Sequence, residues 1–511
     1  MKKKIPLILT LIVLVSGAIS FCLLTRGHSW LDDFASYLMQ AKSIVNGSMA
    51  EFVHRNAFTV TTSSYPPGPA AYPWGFPLLL APVYIIFGMN TLAFKLVNTL
   101  FYALFLVTFF GLARTRLKDG EALLLTATLG FSPALLMAHD QIISDIPFLF
   151  FCTLGLFLTE FFIAQNSKSS PQSTQRDTKE NLKSSFFVLL RALRGEKVFL
   201  LGISIGAAIF AASFIRTNGV LLFIPLALGQ FLQLRAQRHL SWMPAITPYL
   251  TFGILFAAQA LIFPNGQDSY LSHFSMFSLS RLWENFVFYL WLPAWLFREI
   301  PAGEWLYPVW MIFVVVSIAK HGKRDLPLHA YSLGTVALYI LWPERQGLRF
   351  IYPILPLMLI LAFDGMKLTA ASLTAKWQSA AGWALRGLWL VVIVVSLSIS
   401  AGAAGANLAA ERATNGPFDP VSGEMFSFLR EKTSPQSIII FFRPRALRLL
   451  TDRDTFMTEH CTDLPKGDYL ALSEKVGDNG QIPPEEIGKC KDATLEKVFN
   501  NKRFTVYKIG K

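Results

Sequence analysis

The feature that most constrains this chain is a series of apolar runs of about 20 residues, separated by short basic segments. A run of that length lets an α-helix cross a hydrocarbon core of about 30 Å. Charged residues make up 15% of the sequence, whereas soluble domains average about 25%. We therefore predict an α-helical polytopic membrane protein, and the composition excludes a disordered, a collagen-like and a small disulfide-rich chain.

About eleven transmembrane helices are predicted, and the apolar segment 76–88 is not one of them. This segment has only 13 residues and contains Pro77 and Pro82, so it is predicted to lie in the membrane interface. The first run follows three lysines, as in a signal peptide, but it is long and lacks a small-residue cleavage site. The predicted spans are 5–25, 91–113, 121–138, 146–164, 198–214, 218–233, 244–263, 303–319, 327–342, 350–366 and 384–403.

The distribution of Lys and Arg before residue 405 predicts the orientation of these helices. With 76–88 in the interface, 21 of these residues fall on one side and 9 on the other. The positive-inside rule assigns the richer side to the cytoplasm. We predict a multi-pass protein of the inner (plasma) membrane with a cytoplasmic N terminus and a periplasmic or extracytoplasmic C-terminal domain. The net charge of +13 then reflects topology, since no nucleic-acid-binding motif accompanies it.

Composition divides the chain into a transmembrane domain, 1–404, and a small soluble α/β domain, 405–511. Within the first, residues 26–90 are predicted to form an outer loop with interfacial helices, 165–197 a cytoplasmic loop and 264–302 a second outer loop. The elements predicted in the tail are a helix from Pro420, a strand over 437–442, a helix over 446–450, a strand over 468–472, a short helix closed by Val498 and a strand over 504–509.

Four cysteines divide between the two parts of the chain. Cys461 and Cys490 lie in the tail, which the topology assigns to an oxidising compartment, so a disulfide is predicted, with two free thiols as the alternative. Cys22 and Cys152 fall in predicted spans, where Cys behaves as a small apolar residue.

Ionisable residues at the predicted outer ends of the helices are the candidates for function. Asp32 and Asp33 follow the first span and precede an amphipathic segment; simple capping of that helix is the alternative. His139, Asp140 and Asp145 share a very short outer loop, where two carboxylates and an imidazole are costly unless they face water or partners.

Three arginines are predicted near the same face as these carboxylates. They are Arg216, Arg345 and Arg349, and snorkelling or pairing with Glu344 is the alternative for any one of them. Carboxylates that remove a proton and arginines that hold a phosphate together describe a transferase that acts on a lipid phosphate.

Several motifs follow one another along the chain in a recognisable order. The quoted segments are Asp33-x-x-x-Tyr37 with Ala41, Lys42 and Gly47; Tyr65-Pro-Pro-Gly; Tyr72-Pro-x-Gly-Phe-Pro to Phe87-Gly88; His139 to Pro147 with Ser-Asp-x-Pro; Arg349-Phe-Ile-Tyr352-Pro353; and Arg443-Pro-Arg to Arg453 in the tail. Together they resemble the GT-C glycosyltransferases, and they are most similar to the protein-mannosyltransferase and aminoarabinose-transferase-like group.

Two positions depart from the pattern of that group. Aminoarabinose transferases have a Lys before the paired prolines that binds the lipid phosphate, whereas this chain has Ser64-Tyr65, so another cation must serve. The first motif is often Asp-Glu and is Asp32-Asp33 here; the spacing to Tyr37 favours Asp33 as the principal carboxylate.

The resemblance implies transfer of a sugar from a polyprenyl-phosphate donor to an envelope lipid, glycan or protein on the outer side of the membrane. Asp33, or Asp32 if the register differs, would be the general base for the acceptor hydroxyl. Asp140 or Asp145 would orient the acceptor or complete a cation site. The substrate-binding residues it implies are Tyr37, Tyr65, His139, Arg216, Arg345, Arg349 and Tyr352.

Three alternatives stay open at this point. Paired carboxylates among Asp33, Asp140 and Asp145 could bind Mg²⁺ or Mn²⁺, although some relatives of this fold work without metal. A lipid or sugar-lipid transporter would need polar residues along several helices and usually internal repeats. A non-catalytic envelope scaffold would leave the charged residues without a role.

Overall fold

The structure is a computed structural model that describes residues 4–65, 67–168, 184–237, 242–266, 278–342, 345–474, 479–491 and 493–510. Parts of the predicted loops 165–197 and 264–302, together with Glu344, lie outside the described residues. The described chain is mostly helical, with one five-stranded sheet near the C terminus.

Helices occupy most of the described chain up to residue 409. They are α1 (Ile5–Leu23), α2 (Asp33–Asn46), α3 (Met49–Thr62), α4 (Gly75–Phe87), α5 (Thr91–Ala113), α6 (Asp119–Gly130), α7 (Pro133–Leu136), α8 (Asp145–Lys168), α9 (Ser184–Ile215), α10 (Phe223–Gln237), α11 (Trp242–Ile262), α12 (Leu279–Trp291), α13 (Leu306–His321), α14 (Leu326–Leu341), α15 (Leu355–Ala371) and α16 (Ala375–Ala409). Short 3-10 turns extend several of them, including Met137–Asp140, Thr217–Leu222 and Leu348–Ile354.

The chain is a multi-pass membrane protein. Within the described ranges, nine helical segments are long and apolar enough to cross a membrane, and the bent unit Asp119–Gly130 with Pro133–Asp140 makes a tenth. The 52° bend falls at the break between Gly130 and Pro133, and Pro133 is the first residue of α7, a position that proline favours. The predicted span 327–342 corresponds to α14, which has 16 residues, and the interfacial segment 76–88 corresponds to α4, which has 13.

Aromatic and small residues form the interior of the helical part. Phe105 and Phe109 of α5 are fully buried, and α5 packs on α8. At the contact of α13 with α15, a Cβ on Gly365 would lie 1.9 Å from the carbonyl oxygen of Phe313. Because the hydrophobic effect adds little between helices in a bilayer, such close backbone approaches stabilise their association.

The tail is a small α/β unit. It contains α17 (Pro420–Lys432), β1 (Ile438–Ile440), α18 (Pro444–Thr451), β2 (Asp454–Phe456), β3 (Tyr469–Ser473), β4 (Thr494–Asn500) and β5 (Phe504–Gly510). The strand order is β2-β1-β3-β5-β4, in which β1 pairs in parallel with β2 and β3, whereas β5 pairs antiparallel with β3 and β4. Cys461 and Cys490 are joined by a disulfide.

The helix predicted to close at Val498 is wrong, because this residue lies in strand β4. β4 pairs antiparallel with β5, and the register shifts between Lys497 and Phe499. Such a β-bulge interrupts the alternation of inward and outward side chains, so a period of two could not be recognised in the sequence. β2, with only three residues, was also not predicted.

The tail packs directly on residues 26–90, which were predicted to form an outer loop and are called the first outer-loop region. α18 contacts α2 and α3, and Arg55 of α3 pairs with Asp452 and Asp454 at 2.9 and 3.0 Å. The ring of Trp30 is enclosed by aromatic rings of the tail at centroid distances of 5.2 to 6.3 Å; they belong to Phe426, Phe441, Phe442 and Phe504. Two regions far apart in sequence therefore form one packed unit.

Candidate active site

Asp33 is placed by the start of α2. Asp32 occupies the N-cap position and Asp33 is the first helical residue, where a carboxylate interacts favourably with the helix dipole. The helix buries Phe34, Tyr37 and Leu38 on the side that faces the protein, as the apolar spacing predicts. It ends at Gly47, which adopts the left-handed conformation typical of a helix C terminus.

Both oxygens of the Asp33 carboxylate have partners. The hydroxyl of Tyr72 donates to Oδ1 at 2.7 Å, and Nη2 of Arg349 donates to Oδ2 at 3.2 Å. The Asp33 side chain remains 26% exposed and that of Arg349 31%. A solvent-accessible carboxylate therefore lies beside a solvent-accessible guanidinium group.

Asp145 is a buried residue that lies beside the guanidinium groups of Arg349 and Arg216. It is the first residue of α8, and its side chain is only 1% exposed. Oδ1 accepts a short hydrogen bond from Nη1 of Arg216, and Nη1 of Arg349 lies 4.0 Å from Oδ2. Arg349 therefore bridges Asp33 and Asp145, and the charges of this four-residue group balance.

Two turns of the backbone supply the arginines. Arg216 follows α9 in extended conformation, before the 3-10 turn Thr217–Leu222. Arg349 lies in the 3-10 turn before α15. The ring of Phe350 lies beside both guanidinium groups, 4.3 Å from that of Arg216 and 5.0 Å from that of Arg349. Such cation–π contacts favour two like charges held side by side.

Two predicted tyrosines line this group of charges. The Tyr37 hydroxyl lies 3.1 Å from Oγ of Ser144, the residue before Asp145. Burial, followed by the negative charge of Asp33, raises the pKa of Tyr37 above its ordinary range, so the phenol is neutral. Tyr352 is buried and interacts electrostatically with Asp145 and Arg349.

Asp32 points away from Asp33 and toward the tail. Its Oδ1 accepts a hydrogen bond from the backbone N–H of Ala446 in α18 at 3.4 Å. Oδ2 is buried with no hydrogen-bond partner among the described residues. Burial raises the pKa of Asp32 to about 6, even though the charges of Arg445 and Arg443 oppose the shift. The two adjacent aspartates therefore have different environments.

His28 holds together the two loops that carry Asp33 and Asp145. Its Nε2 accepts from the backbone N–H of Ile142 at 2.9 Å, and Nδ1 lies 2.9 Å from the carbonyl oxygen of Ser29. Burial lowers the pKa of His28 to about 4. A neutral imidazole can therefore accept at one nitrogen and donate at the other, which ties the segment before α2 to the segment before α8.

Asp140 and His139 belong to a separate network. Lys95 donates to Oδ1 of Asp140 at 2.6 Å and to backbone carbonyls of Thr25 and Gly27 at 3.0 and 2.7 Å. Nδ1 of His139 lies 2.6 Å from Oγ of Ser20 in α1. These two predicted site residues brace the end of α1 rather than contact Asp33 or Arg349.

Two further predicted residues lie apart from the charged group in the described part of the chain. Arg345 pairs with Glu284 of α12 at 2.6 Å. Tyr65 is 54% exposed, and no hydrogen bond, ion pair or ring contact described for it reaches Asp33, Asp145, Arg216 or Arg349.

The three carboxylates considered as metal ligands do not converge. Asp140 forms an ion pair with Lys95, whereas Asp33 and Asp145 both pair with Arg349. Across the described residues, no three His, Cys, Asp or Glu side chains are grouped so that they could hold a metal ion.

Tyr72, Phe350 and Arg445 were not among the predicted site residues. Tyr72 begins one of the motifs that carry the family resemblance, but no role in the site was assigned to it. Phe350 follows Arg349 directly and Arg445 lies in the arginine-rich segment of the tail, so both were visible as neighbours. Their contacts depend on long-range packing, for which the sequence offered no signal.

Comparison with known proteins identifies the fold. Neither a protein-family model nor a curated protein sequence matches the chain. The structure of ArnT from Cupriavidus metallidurans bound to undecaprenyl phosphate matches with a TM-score of 0.57 and 14% identity, over 98% of this chain and 97% of ArnT. The archaeal oligosaccharyltransferase AglB from Archaeoglobus fulgidus, in complex with an inhibitory peptide and a dolichol-phosphate, matches with a TM-score of 0.51 and 11% identity, over 88% of this chain and 64% of AglB. The GT-C fold expected from the motifs is confirmed, and it extends over nearly the whole chain.

Proposed function

We propose that this protein is a GT-C-type glycosyltransferase of the inner membrane that transfers a sugar from a polyprenyl-phosphate donor to an envelope acceptor on the outer side. The observation that carries the proposal is the convergence of Asp33, Asp145, Arg216 and Arg349 from four separate helix ends. Proton acceptors and guanidinium groups in one place are what the transfer of a glycosyl group from a lipid phosphate requires.

Exposure distinguishes the roles of the two carboxylates. Asp33 is 26% exposed and Asp145 is 1% exposed. A general base must come within hydrogen-bond reach of the hydroxyl that it deprotonates, so Asp33 serves as the base. Asp145 holds Arg216 and Arg349 in place through their paired charges.

Arg349 is the best placed group for the donor phosphate. It is accessible, and planar guanidinium groups bind phosphate oxygens through paired hydrogen bonds. When the phosphate takes over the contact with Nη2, Oδ2 of Asp33 loses its partner at 3.2 Å and becomes free to accept a proton. Donor binding and activation of the base are thereby coupled.

The proposed step moves the sugar from an oxygen of the lipid phosphate to the oxygen of the acceptor hydroxyl. The acceptor O–H gives its proton to Asp33, and its oxygen forms a bond to the anomeric carbon of the donor sugar. The bond between that carbon and the phosphate oxygen breaks, and its electron pair stays on the phosphate, where Arg349 and Arg216 stabilise the negative charge. The products are the glycosylated acceptor and the polyprenyl phosphate.

The lipid phosphates bound by structural neighbours support this donor class. ArnT was determined with undecaprenyl phosphate and AglB with a dolichol-phosphate, and both lipids are polyprenyl phosphates. They correspond to the leaving group of the proposed step.

Mass spectrometry of envelope lipids and glycans from a deletion strain tests the proposal. We expect one glycosylated species to be lost and to return with the wild-type gene, but not with Asp33→Asn. Recovery of that species with Asp33→Asn at equal protein level contradicts the proposed step and favours transport or a scaffold role. In membranes, loss of transfer with EDTA and recovery with Mg²⁺ or Mn²⁺ would show that a metal ion supplies charge that we assign to the arginines.

A further inference from the structure

A buried side chain of the C-terminal domain connects this domain to the candidate base through Tyr72. Arg445 projects from α18, and the whole residue is 0% exposed. Its Nη1 donates to the carbonyl oxygen of Pro67 at 3.2 Å and its Nη2 to that of Pro69 at 2.6 Å. One guanidinium group of the tail therefore holds the proline-rich turn of the first outer-loop region.

The same guanidinium group contacts Tyr72. Nη1 of Arg445 lies 3.5 Å from the Tyr72 hydroxyl, and the centre of the guanidinium lies 5.5 Å from the ring centroid. The hydroxyl donates to Oδ1 of Asp33 at 2.7 Å. Arg445, Tyr72 and Asp33 thus form a continuous polar chain in which the phenol accepts from one partner and donates to the other.

The backbone of Tyr72 is held independently of its hydroxyl. The Gln40 side chain donates to the carbonyl oxygen of Tyr72 at 2.9 Å and accepts from its N–H at 3.2 Å. Gln40 is fully buried in α2, the helix that starts with Asp33. The main chain at Tyr72 is therefore held by the same helix as the base, and Arg445 acts on the direction of the side chain.

Gly68 shows how closely these groups approach. Its φ of +130° is rarely adopted by other residues, and a Cβ there would lie 2.7 Å from the Tyr72 hydroxyl and 2.9 Å from Nη1 of Arg445. The turn can only accommodate the contact between Arg445 and Tyr72 because this position has no side chain.

We infer that Arg445 is a positioning residue for the proposed reaction, through which the C-terminal domain directs Tyr72 and orients the Asp33 carboxylate. This inference rests on the proposed function. Since Arg445 acts through Tyr72, it contacts neither donor nor acceptor, and its removal should lower kcat while leaving the donor KM nearly unchanged.

Arg448 offers a matched control in the same helix. It is 4% exposed and donates to Oγ1 of Thr59 at 2.7 Å, also across the contact between α18 and α3. Both arginines are therefore buried at the interface between the tail and the outer-loop region, but only Arg445 contacts Tyr72. Loss of interface stability alone would affect both variants.

A double-mutant cycle in the full-length protein, reconstituted in membranes, is the test. We expect Arg445→Met to lower kcat about tenfold, Arg445→Lys to recover part of it, and Arg448→Met to stay within about twofold of wild type. In a Tyr72→Phe background, which lacks the hydroxyl, Arg445→Met should have no further effect on kcat, because interacting residues are non-additive. Unchanged kcat in Arg445→Met, or an equal loss with and without the Tyr72→Phe substitution, overturns the inference.

Hydrogen exchange gives a readout that does not depend on turnover. Peptides that cover 67–76 should exchange faster in Arg445→Met than in Arg448→Met. If Arg445→Met exchanges faster but the wild-type protein transfers no sugar, the proposed function is overturned. The contact between Arg445 and the proline-rich turn is then still supported. Equal exchange in the two variants overturns the positioning role even where transfer is observed.

Discussion

Asp32 and Asp33 are adjacent in the sequence, but the fold gives them separate surroundings. Asp33 contacts Arg349 and Tyr72 beside solvent, whereas Asp32 accepts from the backbone of α18. Their side chains diverge because successive residues of a helix are rotated by about 100°. Substitutions at the two positions are therefore expected to have different effects.

We predict that Asp33→Asn abolishes most of the transfer activity in a folded protein. Loss of a general base typically lowers the rate by about 10²–10⁴-fold, whereas Asn retains the size of the side chain and can still accept from Tyr72. Transfer measured in membranes should fall in this range for Asp33→Asn and much less for Asp32→Asn. Asp419→Asn is the control, because Asp419 is the N-cap of α17 and no catalytic role is proposed for it. The reverse order of the two adjacent variants would identify Asp32 as the base.

The second prediction at the residue scale concerns Arg216 and Arg349. Lys keeps the charge of Arg216 or Arg349 but loses the planar pair of donors. Since a charge-assisted hydrogen bond contributes about 1.5 kcal/mol or more, donor affinity should fall roughly tenfold in Arg216→Lys and in Arg349→Lys. Binding of a polyprenyl-phosphate sugar to the purified protein is the measurement, with Arg298→Lys as the control. Unchanged affinity in both variants would place the phosphate elsewhere.

Asp32 makes the stability of the protein depend on pH. Its pKa is about 6 in the folded protein against an ordinary value of 3.8, so the folded state binds the proton more tightly. The free energy of unfolding therefore falls as the pH rises from about 4 to about 6, and the loss is complete above that range. Asp32→Asn should raise the Tm at pH 7 and change it little at pH 4. A Tm difference that is the same at both pH values contradicts the assigned environment.

At the residue scale, the sequence supplied candidate site residues, but it did not predict which of them contact one another. Asp33, Asp145, Arg216 and Arg349 belong to a larger set of predicted site residues, and these four lie together in the structure. Asp140 was predicted from the same short loop as Asp145, but it turns toward Lys95. Asp140 and Asp145 are five positions apart in one motif, but their side chains point in different directions. Lys95, the partner of Asp140, lies on α5.

In the tail, some helices and strands were predicted from the sequence and others were not. Buried strands such as β3 and helices with a clear start such as α17 were predicted within one or two residues. The edge strand β4 was not, because its side chains are largely exposed and its register shifts beside Val498. Without one apolar face, an edge strand carries no periodic signal.

At the element scale, we predict that the Cys461–Cys490 disulfide stabilises the tail. The two residues are 29 positions apart, and closing such a loop typically stabilises a domain by about 2–4 kcal/mol. We expect Cys461→Ser with Cys490→Ser to lower the free energy of unfolding of the tail by that amount, measured by urea-dependent proteolysis of the full chain. Cys22→Ala, in α1, should leave it unchanged. Equal protease resistance with and without the two cysteines argues against a stabilising bridge.

For the molecule as a whole, hydrophobic length predicted the helices well. Charge bias was needed to keep α4 out of the list of spans, since a further crossing would have inverted every later loop. The packing of the tail on the first outer-loop region could not be anticipated in the same way. It depends on contacts such as that of Trp30 with Phe442 at 5.2 Å, between segments that no local pattern connects.

The orientation of the molecule is the last prediction. Because basic residues before residue 405 divide 21 to 9, the N terminus should be cytoplasmic and the tail should lie outside. Alkaline phosphatase fused to the C terminus should be active, and a reporter that works only in the cytoplasm should be inactive at the same position. The opposite pair of results would place the C terminus in the cytoplasm, which requires either an even number of crossings or an N terminus on the outside.

The contacts of Asp33 and Tyr72 with distant arginines also determine when the candidate site can form during biosynthesis. Asp33 and Arg349 are 316 residues apart, and Tyr72 and Arg445 are 373 residues apart. At about 5–20 residues per second, the ribosome needs roughly 20 to 75 s between making Tyr72 and making Arg445. Throughout that interval the nascent chain already carries Asp33 but lacks the arginine of the tail. A product truncated before residue 349 would therefore lack the contact between Arg349 and Asp33.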